Sequence, residues 1–429
     1  MWRSGHLRML DGGDAPAIAA LIDRAPSQNA AIVRRVARIV ADVRERGERA
    51  LVAYARRFDG LSGPLEIPRE EMNTAAGELA PDVRRAMQAA ARNIAHVAGR
   101  QVPRGWKTAP VSGVTIEQRI TPLDRVGCYV PGGRYALPSS LLMTAIPAIV
   151  AGVGEVIAVC PKPDATVMAA AFEAGRATSG RRVRAVRLFR IGGAHAIAAL
   201  AYGTATIPRV DKIVGPGNAY VAAAKALISV DCAIDFYAGP SEILIVSSAG
   251  RPAWIAADLI AQAEHDEQAR AILVTPNRRL AKAVVREIGR QMPATGPAAT
   301  ALARNGAIVV TRTLDEAIAL SERMAPEHVV CDTPAVAARL RRAGTVFVGD
   351  WSAQAAGDYV TGSNHVLPTS GAAAARGGLS AADFVRVSTV QRLTRAGLRG
   401  IARDGIALAE AEGLSAHAAS IRIRLQGDR

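Results

Sequence analysis

Val126-Gly-Cys-Tyr-Val130, then Leu141-Leu-Met-Thr-Ala-Ile-Pro-Ala-Ile-Val-Ala-Gly-Val153, then Val156-Ile-Ala-Val-Cys160 decide how this chain folds. A short β-branched run, an apolar stretch of helical length and a second β-branched run make a strand, a helix and a strand, which is the repeating unit of a mostly parallel sheet. Downstream the alternation continues, with helices expected over residues 165–174, 194–202 and 219–228 and strands over 183–191 and 212–214. A second series begins with a strand at 243–246 and runs through helix 254–265, strand 271–274, helix 280–292, strand 307–310 and helix 314–324, ending near 345–348. Two such series imply two α/β domains, with a boundary at residues 235–240.

Upstream, Ile32, Val36, Ile39, Val40, Val43, Leu51, Val52 and Ala55 recur at intervals of three and four, so helices dominate residues 29–100, broken at Gly47, Gly60 and Pro64. Residues 349–379 are rich in Gly, Ser, Asn and Ala and read as a long irregular connection, a kind of segment that is often functional in compact enzymes. Beyond residue 382 a small helical and extended tail closes the chain. It could pack on another subunit.

Composition bounds the function. The 429 residues exceed one hydrophobic core. Half are apolar and only 4% aromatic, which suits an aliphatic α/β interior. A net charge of +15 permits binding to a polyanion, but the arginines (Arg34, Arg35, Arg38, Arg44, Arg46, Arg339, Arg341, Arg342) are scattered over helices without interleaved aromatics, as on a solvated surface. Cys128, Cys160, Cys232 and Cys331 are widely spaced, which points away from a thiolate zinc site or a disulfide framework. The N-terminus lacks the apolar core of a secretory signal, and the longest apolar run, 141–153, contains Pro147 and Gly152 and is too short to span a bilayer. The expectation is a soluble cytoplasmic protein that binds neither membrane nor nucleic acid.

Four of the seven histidines, His265, His328, His365 and His417, sit in short clusters with acids or amides. Imidazole nitrogen and carboxylate oxygen are the donors a catalytic zinc takes, with one position left open. Gln262 and His265, three apart, share a face if their segment is helical; such a pair holds a metal or decorates a solvated surface. Glu327 and His328 place two proton-handling groups at an element boundary, or a histidine that caps a helix. The turns Val130-Pro-Gly-Gly133, Ile191-Gly-Gly193 and Val214-Gly-Pro-Gly-Asn218 each lie between a strand and a helix, where backbone N–H groups bind anions or simply turn the chain.

Gly127-Cys-Tyr-Val-Pro-Gly-Gly133, Lys212-Ile-Val-Gly-Pro-Gly-Asn218, Ala238-Gly-Pro-Ser-Glu242, Gln262-Ala-Glu-His-Asp266, Ala325-Pro-Glu-His328, Gly357-Asp-Tyr359, Asn364-His-Val-Leu-Pro-Thr369 and Glu412-Gly-Leu-Ser-Ala-His417 resemble, in order and over most of the chain, the motifs of the histidinol dehydrogenase family. The resemblance implies a zinc-dependent, NAD-linked homodimer that oxidises L-histidinol through the aldehyde to L-histidine. Carried over position by position, it implies zinc ligands Gln262, His265, Asp358 and His417, the last supplied by a tail that completes the partner's site. Glu327 would activate water and His328 would be the base of the oxidations. Ser241, His365 and Glu412 would contact substrate beside these groups, and Tyr129, His195 and Asn218 would lie along NAD. The implied architecture is α/β, with two Rossmann-like parallel-sheet domains, a helical N-terminal region and a small C-terminal tail. The expected division is an arm at 1–28, a discontinuous first domain at 29–127 and 237–380, a second at 128–236, and a tail domain at 381–429.

One position and one stretch depart from the family pattern. His195 stands where a Gln is usual in the Gly-Gly-Ala-Gln stretch, and residues 351–356 differ from the expected Pro- and Glu-containing version, though Asp358 remains. Two rivals are a paralogue acting on another polar alcohol and, from a different class, a polyanion-binding protein on a retired enzyme scaffold. The second predicts salt-dependent nucleic-acid binding without stoichiometric zinc.

Overall fold

The structure, a computed structural model, describes residues 2–4, 7–23, 30–132, 137–177, 186–236 and 239–426. It divides into two units, one of Met1–Gln101 with Asp124–Phe384 and one of Val102–Leu123 with Val385–Arg429.

Two sheets organise the first unit. One has the strand order Trp2–Ser4, Leu7–Asp11, Ala307–Val310, Arg270–Thr275, Glu242–Val246, His328–Cys331, Thr345–Val348, parallel throughout except for the antiparallel edge strand Trp2–Ser4. Its central strands are buried along their length, as expected where helices cover both faces of a parallel sheet. The other has the order Ala233–Ile234, Lys212–Val214, Arg125–Tyr129, Glu155–Val159, Arg187–Phe189, Glu66–Ile67, parallel except for the last pair. The chain winds outward from Arg125–Tyr129 first to one side and then to the other. That strand therefore marks a topological switch point, where a crevice opens beyond the carboxyl ends of the strands.

The expected α/β architecture with parallel sheets is the one observed, and both series of alternating elements fall close to where the β-branched runs put them. The grouping of segments differs. Helix Ala30–Arg46 buries Val36, Ile39, Val40 and Val43 against Ile197, Leu200, Val221 and Ala224, so it packs on the side of the second sheet, while helix Pro81–Gln101 reaches residues 237–380 through Asn93, which donates to Val360 O at 2.7 Å. Residues 102–123 leave that group altogether: Trp106–Val111 and Val114–Pro122 form an antiparallel sheet with Val385–Leu393, which helices Arg395–Ala411 and Ser415–Gln426 follow. The expected arm at 1–28 supplies strands instead, because Leu7 and Leu10 are buried and Leu7–Asp11 pairs in parallel with Ala307–Val310. The strand expected over 183–191 is described only from 186 and is formed by Arg187–Phe189; residues 183–185, with Gly133, Ala238 and part of the 235–240 boundary, lie outside the described residues. The connection at 349–379 is irregular apart from the short helix Gln354–Gly357 and a 3-10 turn at Ala372–Ala374.

The four cysteines are buried and free. Among the described residues, no helix is long and apolar enough to cross a membrane.

Candidate active site

Ser241, Gln262, Glu327 and His328 meet at the amino ends of strands Glu242–Val246 and His328–Cys331, which run side by side with Ile243 opposite His328. The Gln262 amide donates to Ser241 Oγ at 2.7 Å, and the Ser241 hydroxyl donates to Glu327 Oε2 at 2.7 Å. The same Oε2 accepts the backbone N–H of Glu242 at 2.8 Å. Glu327 is buried, and burial pushes its carboxyl up to about 7 against the pull of those two donors. His328 is buried beside it, and burial holds its imidazole below the ordinary range, so the ring is neutral near pH 7. An acid poised near neutrality next to an uncharged imidazole is a proton-transfer arrangement.

Three imidazoles have their tautomers fixed by backbone carbonyls, which can only accept. His328 Nδ1 donates to Glu242 O at 3.1 Å, His365 Nδ1 to Asp358 O at 2.8 Å, and His265 Nδ1 to the carbonyls of Ala261 and Gln262, each at 3.2 Å. The helix carrying Gln262 ends at Ala263, short of the expected 265, and His265 caps its last carbonyls. Each ring is left with an Nε2 lone pair. That of His265 lies 4.0 Å from Asp358 Oδ2, and that of His328 lies 3.9 Å from Asp358 Oδ1. His365 Nε2 faces the hydroxyl of Ser140 at 3.5 Å, and Asn364 anchors that loop by donating to Met143 O at 2.7 Å.

Lone pairs facing a carboxylate repel unless a proton or a cation stands between them. Gln262 Oε1 is buried with no hydrogen-bond partner, a cost that a bound cation removes. Among the described residues no three His, Cys, Asp or Glu side chains converge as a metal site. An amide oxygen, one imidazole and one carboxylate nonetheless make a donor set suited to a borderline cation with a position left open, so Gln262, His265 and Asp358 fit a metal. Gln354, which no sequence pattern singles out, donates to Asp358 Oδ2 at 3.0 Å and holds that carboxylate.

Tyr129, His195 and Asn218 line one cavity of about 500 Å³ at the switch point of the second sheet. Tyr129 Oη accepts the Gly193 N–H at 3.0 Å, and burial raises its hydroxyl pKa, so it stays protonated and can donate to a ligand. Asn218 caps helix Ala219–Ile228 through the N–H groups of Tyr220 and Val221. Gly215, at φ +112°, lies where a Cβ would stand 2.2 Å from Tyr129 O, so only glycine fits. Its N–H donates to Asp235 Oδ2 at 2.7 Å and its carbonyl accepts from Lys225 Nζ at 3.1 Å, and these two buried side chains are themselves an ion pair. Glycine-lined turns before helix N-termini suit a phosphate-bearing ligand. His195 Nε2 lies 2.8 Å from Asp59 Oδ2, a partner 136 residues away that no local pattern signals.

Glu412 and His417 belong to the second unit and are both exposed, Glu412 at the end of helix Arg395–Ala411 and His417 in helix Ser415–Gln426.

A histidinol dehydrogenase family model matches residues 22–425. A histidinol dehydrogenase of Geobacter sulfurreducens is 43% identical over 95% of this chain and 96% of its own. One from Cereibacter sphaeroides is 46% identical over 91% of each. The crystal structure of histidinol dehydrogenase from Elizabethkingia anophelis superposes with a TM-score of 0.91 at 29% identity, covering 99% of both chains. The chain belongs to the histidinol dehydrogenase family, the oxidoreductases that oxidise histidinol in histidine biosynthesis.

Proposed function

We propose that this enzyme takes L-histidinol through the aldehyde to L-histidine in two NAD-linked oxidations, with zinc held by Gln262, His265 and Asp358 and by His417 of the partner subunit in a homodimer. When bound, NAD supplies the hydride acceptor for each oxidation and zinc supplies a charge that orients the amino alcohol and imidazole of the substrate. His328 takes the hydroxyl proton at Nε2, because its Nδ1–H is committed to the Glu242 carbonyl. The Asp358 carboxylate, 3.9 Å from that Nε2, steadies the imidazolium that results. Glu327 takes a proton from the water that adds to the aldehyde; Oε2 is occupied by Ser241 and Glu242, which leaves Oε1 as the acceptor. Ser241, His365 and Glu412 hold the substrate, and Tyr129, His195 and Asn218 lie along NAD. The four cysteines, buried and not paired with one another, support a reducing cytoplasm as the compartment.

The observation that carries this reading is the pair Glu327 and His328, adjacent, buried and driven in opposite directions by the same desolvation. NADH formation with L-histidinol, compared with unrelated amino alcohols, tests it. Turnover confined to histidinol is expected, and an absence of NADH with histidinol overturns it.

A further inference from the structure

His195 is buried at the wall of the cavity that holds Tyr129 and Asn218, and Asp59, its acid partner, lines the same wall. Asp59 comes from a π-helical turn, Ala55–Asp59, that continues helix Glu48–Tyr54. Its Oδ2 accepts two bonds, one from the Gly192 N–H at 3.0 Å and one from His195 Nε2 at 2.8 Å. The Gly192 N–H can only donate, so Oδ2 is an acceptor, and Nε2 is therefore the nitrogen of His195 that carries the proton. In the neutral ring Nδ1 is then left with a lone pair. It lies on the side of Gly193, where an added Cβ would stand 3.6 Å from it, and both residues line the cavity. The rings of Tyr54 and Phe58 lie at centroid distances of 6.0 Å and 6.1 Å and pack around the imidazole. The ring is held by one charge-bearing partner and packed by aromatics, yet Nδ1 has no protein partner among the described residues.

We propose that Asp59 is a positioning residue for the dinucleotide. By fixing the His195 tautomer it presents Nδ1 to the cavity as an acceptor for a hydroxyl or N–H donor of bound NAD. The inference rests on the reading of this cavity as the NAD site. The part assigned to Asp59 is to set which way the hydrogen bond at His195 can run.

Asp59→Ala, read in two backgrounds, separates this role from a merely structural one. It removes the oxygen that holds the Nε2 proton, so either ring nitrogen can carry it and Nδ1 is no longer fixed as the acceptor in the cavity. For the zinc-loaded enzyme, NADH fluorescence titration should show Kd raised about tenfold, with KM for NAD raised in parallel and kcat at saturating NAD within about twofold. Asp59→Asn, with its amide oxygen in the place of Oδ2, still accepts from both Gly192 and His195 and should stay within about twofold of wild type. His195→Gln offers both an oxygen and an NH₂ to the ligand whatever Asp59 does. In that background Asp59→Ala should change the NADH Kd less than about twofold. Thermal midpoints of all variants identify any that fail to fold.

Equal weakening by Asp59→Ala in the wild-type and His195→Gln backgrounds overturns the proposal, because it marks a structural effect on the Gly192 turn. So does an unchanged Kd for Asp59→Ala alongside a weakened His195→Ala. If His195→Ala and Asn218→Ala both leave NADH binding unchanged, the cavity is not the dinucleotide site, and the proposal falls with that reading.

Discussion

Glu327 carries the sharpest chemistry at the scale of a single residue. Its pKa rises from 4.5 unfolded to about 7 folded because a buried carboxylate loses its hydration. Between those values the folded state keeps a proton that the unfolded state has released, so stability falls as pH rises from about 4.5 to 7 and is flat above. The full effect is about 3 kcal/mol against the folded state. Glu327→Gln has no ionisation to suppress and still accepts from Ser241 and Glu242. In the chelator-treated protein it should therefore gain on wild type across that window and stay ahead at pH 8, as measured by thermal unfolding at a series of pH values. Catalysis should move the other way. Oxidation of the aldehyde needs activated water, so in Glu327→Gln it should slow by about 10²–10⁴-fold, while the first oxidation, which needs no water, stays within about threefold. Single-turnover assays started from histidinol and from the aldehyde separate the two, and equal slowing of both would remove Glu327 from the water step. His328→Gln keeps a donor toward the Glu242 carbonyl but has no basic lone pair, and should slow both oxidations alike.

At the scale of elements, the glycine turn at 215–218 depends on a pair that lies outside it. Lys225 and Asp235 are both buried, and between them they hold the N–H and the carbonyl of Gly215. Lys225→Met leaves the Asp235 charge without its counter-ion and should lower stability by about 3–5 kcal/mol. The NADH Kd should rise with it as the turn loosens; denaturant unfolding and fluorescence titration check the two effects, and a stability loss below about 1 kcal/mol would show that Asp235 is sufficiently compensated by its N–H donors. The strands and helices flanking this turn were legible because β-branched runs such as Val126–Val130 alternate with Ala-rich helices, a signal that is local. Trp106–Val111 was not legible: it is exposed along its length, so it has no period-two pattern, and the sheet it joins is completed by Val385–Leu393, more than 260 residues downstream. The motif residues at the amino edge of the first sheet could be named from family resemblance, but spacing alone left them ambiguous. Their convergence depends on pairing Ile243 with His328 across 85 residues. Asp59 and Gln354 carried no signal, since each matters only through one distant or buried partner.

At the scale of the whole molecule, the proposed metal set draws three donors from the first unit and one, His417, from the second. In the proposed homodimer that fourth donor comes from the other chain. His417 is exposed on its helix, so His417→Ala should leave the thermal midpoint of the metal-free protein within about 2 °C, as for surface substitutions generally. Zinc affinity, measured by chelator competition, should fall by about 10-fold or more, and NADH formation with it. Gln262→Ala should give a second inactive protein by removing a donor from the first unit. Mixing the two tests where His417 acts. In a hybrid dimer, one site then carries both defects and the other carries neither. Random subunit exchange makes about half the dimers hybrid, so about a quarter of wild-type activity should return, with zinc recovered in the same proportion. If His417 serves the site of its own chain, every site in every hybrid keeps one defect, the mixture stays inactive, and the shared site is refuted.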